Sequence, residues 1–429
     1  MLSLTPAGRA LLGKQRGGVS PLALFAKAAT QRIDIVGIGD SNQVLSGFGW
    51  DHGFQYAMSR YFPMYATGLL SQNENNGSGS GVGYLYSRAA AGVIGAVSGA
   101  PVDLGKYLNK GSGALFPAYY TYVADGNIVG SNSLIGLVLS PNCLIDNGGA
   151  LDFDLHWGSF DSGAGTFRPY VRLGQSPFTT LAVAAVPLSS NTGAFAMQRT
   201  TLSIAADPTR ADKQVEFKPL RTASDGITGP YFSTYMRASN PARPNGFSYH
   251  TLEYRGGQPA RTMAYDIQQA SNETLTHYFA EVRRLQGPIK CVIIMVNSGL
   301  NDRNETQASV GPAAVADGDS PEAFVDNCTA IVQRIQAIWT LNGWSQDELH
   351  FVFMVSHPQS DPDDAELESY RSAILAYAAT LSQGYAIDLA AKITSAQMLA
   401  LGYYASAGTD KNHMTQAGYE GMGLLAVTA

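Results

Sequence analysis

Short apolar segments alternate with helical patterns over much of this chain. The apolar runs are 33–39, 289–297, 350–355 and a weaker one at 385–389. The helical patterns are 260–285, 321–341, which Ser320 is suited to cap, and 364–382. Strands that are apolar on both faces and separated by helices are typical of a parallel sheet with helices on both sides. The sequence therefore predicts an α/β domain with a mostly parallel sheet.

A different pattern occupies residues 115–245, where short alternating runs are separated by Gly, Pro, Asn and Ser. Examples are 151–157, 167–173, 179–186 and 214–219. Strands at this spacing, without helices between them, favour an antiparallel β-sandwich. The two patterns together predict a discontinuous α/β domain, residues 1–105 and 246–429, interrupted by an inserted β-sandwich, residues 106–245.

Composition excludes several classes of protein. The 429 residues are 45% hydrophobic and 14% charged, which suits a compact globular chain rather than a disordered one. The net charge is −6 and the basic residues form no stripe, so we expect no nucleic-acid partner. No apolar segment approaches the roughly 18–20 residues that span a bilayer, so we expect a soluble chain with no membrane partner. The compartment and the oligomeric state stay open, and a secreted protein is one of the alternatives.

Three cysteines are too few and too scattered for a disulfide framework or a zinc site. None of them forms a CxxC pair. The acidic segment 361–364 is better explained as a turn and a helix N-terminus than as a cation site. We therefore predict no metal and no cofactor.

The first candidate motif is Gly39-Asp40-Ser41-Asn42, directly after the first predicted strand. The carboxyl end of a parallel strand is where α/β sheets place their ligands. A tight turn there exposes the serine hydroxyl and directs its backbone N–H at a developing oxyanion. The same four residues would also suit an ordinary turn that caps a helix.

The second motif is Asp410-Lys-Asn-His413, in a predicted loop ahead of a C-terminal helix. A nucleophilic serine needs a base, and histidine titrates near neutral pH. An aspartate three residues earlier can hold the Nδ1–H and fix the tautomer. Among the seven histidines, only His413 has an Asp at this spacing and a helix start just after it. An incidental histidine in a helix-initiating loop is the alternative.

The third motif is Gly299-Leu300-Asn301-Asp302, at the end of the strongest predicted strand. The Asn301 side-chain amide could donate a hydrogen bond to an oxyanion beside Ser41. Asparagine at a strand end is otherwise usually a turn former.

The three motifs, in this order, resemble three of the four signature blocks of the SGNH (GDSL-like) hydrolase family. The resemblance covers residues about 30–90 and 247–429, and Asn42 departs from the leucine common in the first block. It implies a three-layer, flavodoxin-like fold with a parallel sheet. It further implies that Ser41 is the nucleophile, His413 its base, Asp410 the partner of that base, and Asn301 an oxyanion donor.

The remaining signature block supplies an oxyanion glycine, and two places in the sequence compete for it. Gly257 lies in the segment 247–258, which predicts a strand followed by Gly-Gly and then a helix, and this context matches the family. The alternative is the glycine-rich loop at 76–81, which contains Gly79 and Gly81. We prefer Gly257, and this choice implies that the β-module is inserted between the first two signature blocks.

The resemblance implies a serine carboxylic-ester hydrolase, and inserted β-modules in this family favour an acylated carbohydrate, as in an acetylesterase. A lipase or thioesterase, or a carbohydrate-binding or virion-surface protein with a vestigial site, are the alternatives. Candidate substrate-binding residues are Asp40, Asn42, Trp50 and His357. Trp157 and Tyr170 are either a sugar platform in the β-module or core residues.

Overall fold

The structure of the protein is a computed structural model. The described residues are 21–40, 49–71, 86–89, 121–123, 136–141, 143–159, 166–174, 178–186, 188–189, 196–220, 231–254, 259–297, 299–300, 302, 320–355, 357–358, 365–406 and 410–428.

The strands of the described residues are β1 (Arg32–Gly39), β2 (Leu70–Ser71), β3 (Tyr86–Ala89), β4 (Thr121–Val123), β5 (Gly136–Leu139), β6 (Leu151–Ser159), β7 (Thr166–Leu173), β8 (Thr179–Val183), β9 (Leu188–Ser189), β10 (Ala196–Ile204), β11 (Val215–Leu220), β12 (Tyr231–Ser239), β13 (Gly246–Tyr254), β14 (Val292–Asn297), β15 (Leu349–Val355), β16 (Gly384–Asp388), β17 (Tyr404–Ser406) and β18 (Asp410–Met414).

The α-helices are α1 (Leu22–Phe25), α2 (Trp50–Ser59), α3 (Ala260–Gln269), α4 (Asn272–Arg284), α5 (Pro321–Leu341), α6 (Ala365–Thr380), α7 (Ser395–Ala400) and α8 (Gln416–Val427). Short 3₁₀ helices occur at Ala26–Ala29, Pro208–Arg210 and Gln346–Glu348.

Five strands form a parallel sheet in the order β13-β1-β14-β15-β16. This confirms the predicted parallel sheet, and its strands begin and end within a few residues of the predicted apolar runs. The strand β1 lies in the interior of the sheet, between β13 and β14. Although β13 is separated from β1 by about two hundred residues of chain, it is its direct neighbour, in register from Arg32 with Gly246 onward.

Alternate residues of the parallel strands face two different hydrophobic clusters. On β14, Ile293 and Met295 join a cluster shared with helices α2 and α8, and Ile294 and Val296 join a cluster shared with helices α3 to α6. Burial of both faces explains why these strands are almost uninterrupted runs of aliphatic residues.

The helical pattern predicted at 260–285 is two helices rather than one. The chain turns extended at Ala270 and Ser271, and the Ser271 hydroxyl accepts a hydrogen bond from the Thr274 N–H at 3.0 Å. A serine cap begins a new helix because it satisfies an N–H that the first turn leaves unpaired. The predicted helix at 321–341 is confirmed, with Ser320 as its cap.

Two antiparallel sheets contain the remaining longer strands. One has the order β10-β6-β12-β2, and the other β3-β5-β11-β7-β8. Phe153 of the first sheet contacts Phe217 of the second, with 5.4 Å between ring centroids. Strands β2 and β3 belong to these sheets although they precede residue 106, the predicted start of the inserted module.

A network of buried charges joins the first antiparallel sheet to helix α4. Arg237 on β12 contacts Asp154 on β6 at 3.0 Å and the Glu281 carbonyl oxygen on α4 at 2.9 Å. Arg199 and Arg284 also bind Glu281, each at 2.6 Å. Burial alone would raise the pKa of Asp154, but Arg237 and Arg284 outweigh it and the pKa is lowered. Three guanidinium groups therefore surround two carboxylates at this joint.

Helices α2 and α8 approach each other through glycines. A Cβ atom on Gly53 would lie 2.2 Å from the Tyr419 carbonyl oxygen, and one on Gly423 would lie 2.2 Å from the Gly53 carbonyl oxygen. The ring of Trp50 packs edge-on against Tyr419, with centroids 5.9 Å apart. These contacts join the helix that follows the Gly-Asp-Ser-Asn segment to the helix that follows His413.

We expect Gly53→Ala to lower the free energy of unfolding by about 1–3 kcal/mol, because the added methyl group would overlap the Tyr419 backbone and force the two helices apart. Urea denaturation followed by circular dichroism measures the change. The matched control is Gly287→Ala, where a Cβ would meet nothing within 4 Å. A Gly53→Ala variant as stable as the control would contradict the close helix packing.

All three cysteines are buried and none forms a disulfide. Burial raises the pKa of Cys143 and Cys291 to about 12, so both remain thiols near neutral pH. Within the described ranges, no helix is both long and apolar enough to cross a membrane.

Candidate functional site

The predicted site residues divide into two groups. Ser41, Asn42, Gly257 and Asn301, together with the alternative glycines of the 76–81 loop, lie outside the described residues. Asp40, Trp50, His357 and His413 are described, as is the backbone of Asp410. The strands and helices that precede and follow the first group therefore define the geometry of the site.

Three adjacent strands of the parallel sheet each end a few residues before one of the predicted site residues. Gly39, the last residue of β1, is paired with Tyr254 at the end of β13 and with Asn297 at the end of β14. Ser41 follows β1 by two positions, Gly257 follows β13 by three, and Asn301 follows β14 by four. Because parallel strands end at the same edge of a sheet, the three strand ends lie side by side, with the end of β1 in the middle.

The segment after β14 turns at a glycine that needs its conformational freedom. Gly299 has φ +117°, in the region that residues with a side chain rarely adopt. The buried Asp302 carboxylate accepts the Gly299 N–H at 2.9 Å and the Ala260 N–H, at the start of α3, also at 2.9 Å. Asp302 stands in the third motif, but the sequence pattern alone indicates no role for it.

His413 lies in a strand rather than in the predicted loop. Strands β17 and β18 form a two-stranded antiparallel hairpin that pairs Tyr404 with Met414, and His413 is partly exposed. The Tyr404 hydroxyl donates to the Pro358 carbonyl oxygen at 2.7 Å, just beyond the end of β15. This contact attaches the hairpin to the same edge of the parallel sheet, and helix α8 begins two residues after β18 ends.

The described candidates for substrate binding are buried. Asp40, Trp50 and His357 are each 2% exposed or less. Trp50 packs against Tyr419 in the hydrophobic cluster of α2 and α8, which favours a packing role. His357 stands next to the ring of Tyr404, with centroids 6.4 Å apart, and so lies beside the His413 hairpin.

The aromatic pair considered as a sugar platform is not exposed. Trp157 is 6% exposed and its indole N–H donates to the Thr200 hydroxyl at 3.1 Å, and Tyr170 is 5% exposed. Both are therefore core residues, as aromatic side chains on strands usually are.

A second serine, histidine and aspartate group has the composition of a triad but not its geometry. His250 Nδ1 accepts the Leu69 N–H at 3.0 Å, so the ring proton is on Nε2, which faces Asp34 at 2.8 Å. Ser248 lies 3.2 Å from the same Nε2. No lone pair of the imidazole is left to take the serine proton, and burial lowers the pKa of His250. This group joins β13 to β1 through a buried hydrogen bond.

No cluster of three or more His, Cys, Asp or Glu side chains within the described ranges is placed to hold a metal ion.

Solved structures that are similar to this chain include two esterases, and the first of these shares its fold. A peptidoglycan O-acetylesterase matches 95% of this chain and 94% of its own, at 12% identity and a TM-score of 0.53. A family two carbohydrate esterase from Cellvibrio japonicus matches 72% of this chain and 96% of its own, at 10% identity and a TM-score of 0.27. No family model matches this sequence, and no curated protein is detectably similar to it.

Proposed function

We propose that the protein is a serine ester hydrolase of the SGNH type that removes acetyl or other short acyl groups from a carbohydrate. The observation that carries the proposal is the order of the strand ends. The strand that precedes Ser41 ends between the strands that precede Gly257 and Asn301, and the hairpin of His413 contacts the segment just beyond the next strand end along the same edge. A nucleophile flanked by oxyanion donors and served by a base needs this arrangement.

The proposal includes a three-layer domain into which a β-sandwich is inserted between β1 and β13. The two hydrophobic clusters on opposite faces of the parallel sheet support the layers. The neighbouring positions of β1 and β13 support an insertion between them. The contact between Phe153 and Phe217 supports two antiparallel sheets packed face to face.

The reaction proceeds in two halves. His413 takes the proton of the Ser41 hydroxyl, whose oxygen attacks the acyl carbonyl carbon. The negative charge that develops on the carbonyl oxygen is held by the Ser41 and Gly257 N–H groups and the Asn301 amide. The tetrahedral intermediate collapses, the sugar alcohol leaves with the proton from His413, and the acyl group remains on Ser41. Water then attacks the acyl-enzyme with His413 again as base, and the bond to Ser41 Oγ breaks as Oγ takes the proton from His413. This step releases the carboxylic acid and restores the enzyme.

An acylated carbohydrate is the proposed substrate class. The support is the fold shared with a peptidoglycan O-acetylesterase over nearly the whole of both chains. An O-acetyl ester is small, so its hydrolysis needs no long apolar channel for the acyl group. The proposed mechanism uses only side chains and backbone N–H groups of the protein and requires no cofactor.

The experiment that tests the proposal compares p-nitrophenyl esters of increasing acyl length with a panel of acetylated glycans. We expect turnover of the acetate ester, a sharp fall with longer acyl chains, and release of acetate from at least one glycan. A preference for long acyl chains would favour a lipase. Absence of any turnover would contradict an esterase and favour a binding protein.

Two substitutions separate the roles of His413 and Asp410. We expect His413→Ala to lower kcat by at least about 10²-fold, because a general base contributes this much or more. We expect Asp410→Asn to retain more activity than His413→Ala, because Asp410 orients the imidazole and does not itself carry the proton. Initial rates with p-nitrophenyl acetate measure both. Wild-type activity of His413→Ala would contradict the assignment.

A further inference from the structure

One buried carboxylate joins the segments that follow β13 and β14. Asp302 Oδ1 accepts the Ala260 backbone N–H at 2.9 Å, and Oδ2 accepts the Gly299 N–H at 2.9 Å. The side chain belongs to a residue only 3% exposed. Neither segment can shift relative to the other without loss of a buried hydrogen bond to this carboxylate.

We propose that Asp302 is a positioning residue that holds the two predicted oxyanion donors in place on either side of Ser41. Asn301 directly precedes Asp302, and Gly257 stands three residues before Ala260. Strand β1 lies between β13 and β14, so the ends of the two strands that precede the donors flank the end of the strand that precedes Ser41. The inference rests on the proposed function, because the donors have a role only if an oxyanion forms at Ser41.

Small displacements at such donors have large effects on rate. An oxyanion donor acts only when it lies about 2.7–3.1 Å from the developing charge, and each donor contributes about 10²–10³-fold in kcat. A carboxylate that ties both segments removes the freedom that would let one donor drift. The negative charge also lies at the N-terminus of α3, where it interacts favourably with the helix dipole.

A role confined to capping α3 is the competing explanation, and the two roles differ in what a substitution changes. Loss of a cap lowers the stability of the folded protein and leaves the chemistry of the folded fraction as it was. Loss of positioning lowers kcat and the affinity for tetrahedral adducts of Ser41, with little change in KM.

The test uses Asp302→Asn, which keeps the shape but replaces one acceptor oxygen with a donor that opposes a backbone N–H. We expect kcat with p-nitrophenyl acetate to fall about 10–100-fold and KM to change less than about threefold. We expect the inhibition constant of phenylboronic acid, which forms a tetrahedral adduct with the serine, to rise by a similar factor to the fall in kcat.

The matched control is Ser271→Ala, which removes the cap of the next helix, α4. It should lower the melting temperature while leaving kcat and the boronic acid inhibition constant at their wild-type values.

A second variant removes the donor instead of the acceptor. In Ala260→Pro the carboxylate remains but the N–H at the first position of α3 is absent. Proline is tolerated at this position, and the preceding Pro259 already has the extended conformation, ψ 168°, that a following proline requires. We expect the same direction of change in kcat and in boronic acid inhibition, and this variant decides the question if Asp302→Asn does not fold.

The outcomes separate this inference from the proposed function. If wild-type turnover is lost in Ser41→Ala but the folded Asp302→Asn or Ala260→Pro protein keeps wild-type kcat and inhibition, Asp302 only caps α3 and this inference alone is wrong. If turnover persists in Ser41→Ala, the proposed function and the inference fall together.

Discussion

Replacing Ser41 with alanine is expected to lower kcat with p-nitrophenyl acetate by at least about 10⁴-fold, because no other group in the mechanism forms the acyl-enzyme. The substitution removes one oxygen atom from a segment that follows the interior strand β1, so we expect the circular dichroism spectrum and the melting temperature to stay close to those of the wild type. The loss should therefore be one of chemistry and not of folding.

The control for Ser41→Ala is Ser248→Ala, the serine of the buried group with Asp34 and His250. Its hydroxyl donates to the Thr67 carbonyl oxygen and lies in a side chain that is 1% exposed. We expect this variant to lose stability and to keep the kcat of the folded protein. Activity that depended on Ser248 and not on Ser41 would contradict the proposal and assign the chemistry to the buried group of Ser248, His250 and Asp34.

Replacing Arg237 with alanine is expected to lower the free energy of unfolding by up to about 3–5 kcal/mol, since it removes one of the three guanidinium groups that compensate two buried carboxylates. Asp154 and Glu281 both lie within hydrogen-bonding distance of the Arg237 guanidinium, whose side chain is 1% exposed. Because this joint connects β6 and β12 to α4, we expect the whole protein to unfold at a lower urea concentration. Urea denaturation at pH 7 measures the effect.

Two variants test the origin of this loss. Arg237→Met keeps most of the side-chain volume and removes the charge, so it should restore part of the packing but not the electrostatic contribution. Lys213→Ala breaks an exposed ion pair with Asp212, and we expect little change, as for most surface pairs. An Arg237→Ala protein as stable as Lys213→Ala would contradict a role of the buried network in stability.

Acid should weaken the same network. The folded-state pKa of Asp154 is lowered because Arg237 and Arg284 outweigh the effect of burial. A carboxyl group with a depressed pKa contributes stability that is fully present above its unfolded pKa, about 4, and is lost as the pH falls through the folded value. The difference in stability between the wild type and Arg237→Ala should therefore narrow below about pH 4.

The strands of the parallel sheet could be predicted because burial on both faces leaves a strong signal in the sequence. Val292–Asn297 is almost entirely aliphatic, and its bounds differ from the prediction by three residues at one end. The hairpin at Tyr404–Met414 could not be predicted, because its second strand, Asp-Lys-Asn-His-Met, is short and polar and has no alternation.

Contacts between distant segments had no counterpart in the sequence. The pairing of β13 with β1 is consistent with the preference for Gly257. Nothing in the sequence, however, indicates that Asp302 accepts a hydrogen bond from Ala260, which lies 42 residues earlier in the chain. Trp157 and Tyr170 looked like candidates for a sugar platform because strand aromatics have the same pattern whether they face solvent or a second sheet. Only the packing of the sheets distinguishes the two.

The central claim is that Ser41 is the nucleophile, and active-site labelling tests it most directly. The protein is treated with a fluorophosphonate, digested, and analysed by mass spectrometry, with His413→Ala treated in parallel. We expect a single adduct on Ser41 in the wild type and much slower labelling in His413→Ala, because the hydroxyl then lacks its base. An adduct on a different serine, or no adduct while the ester is still hydrolysed, would contradict the account.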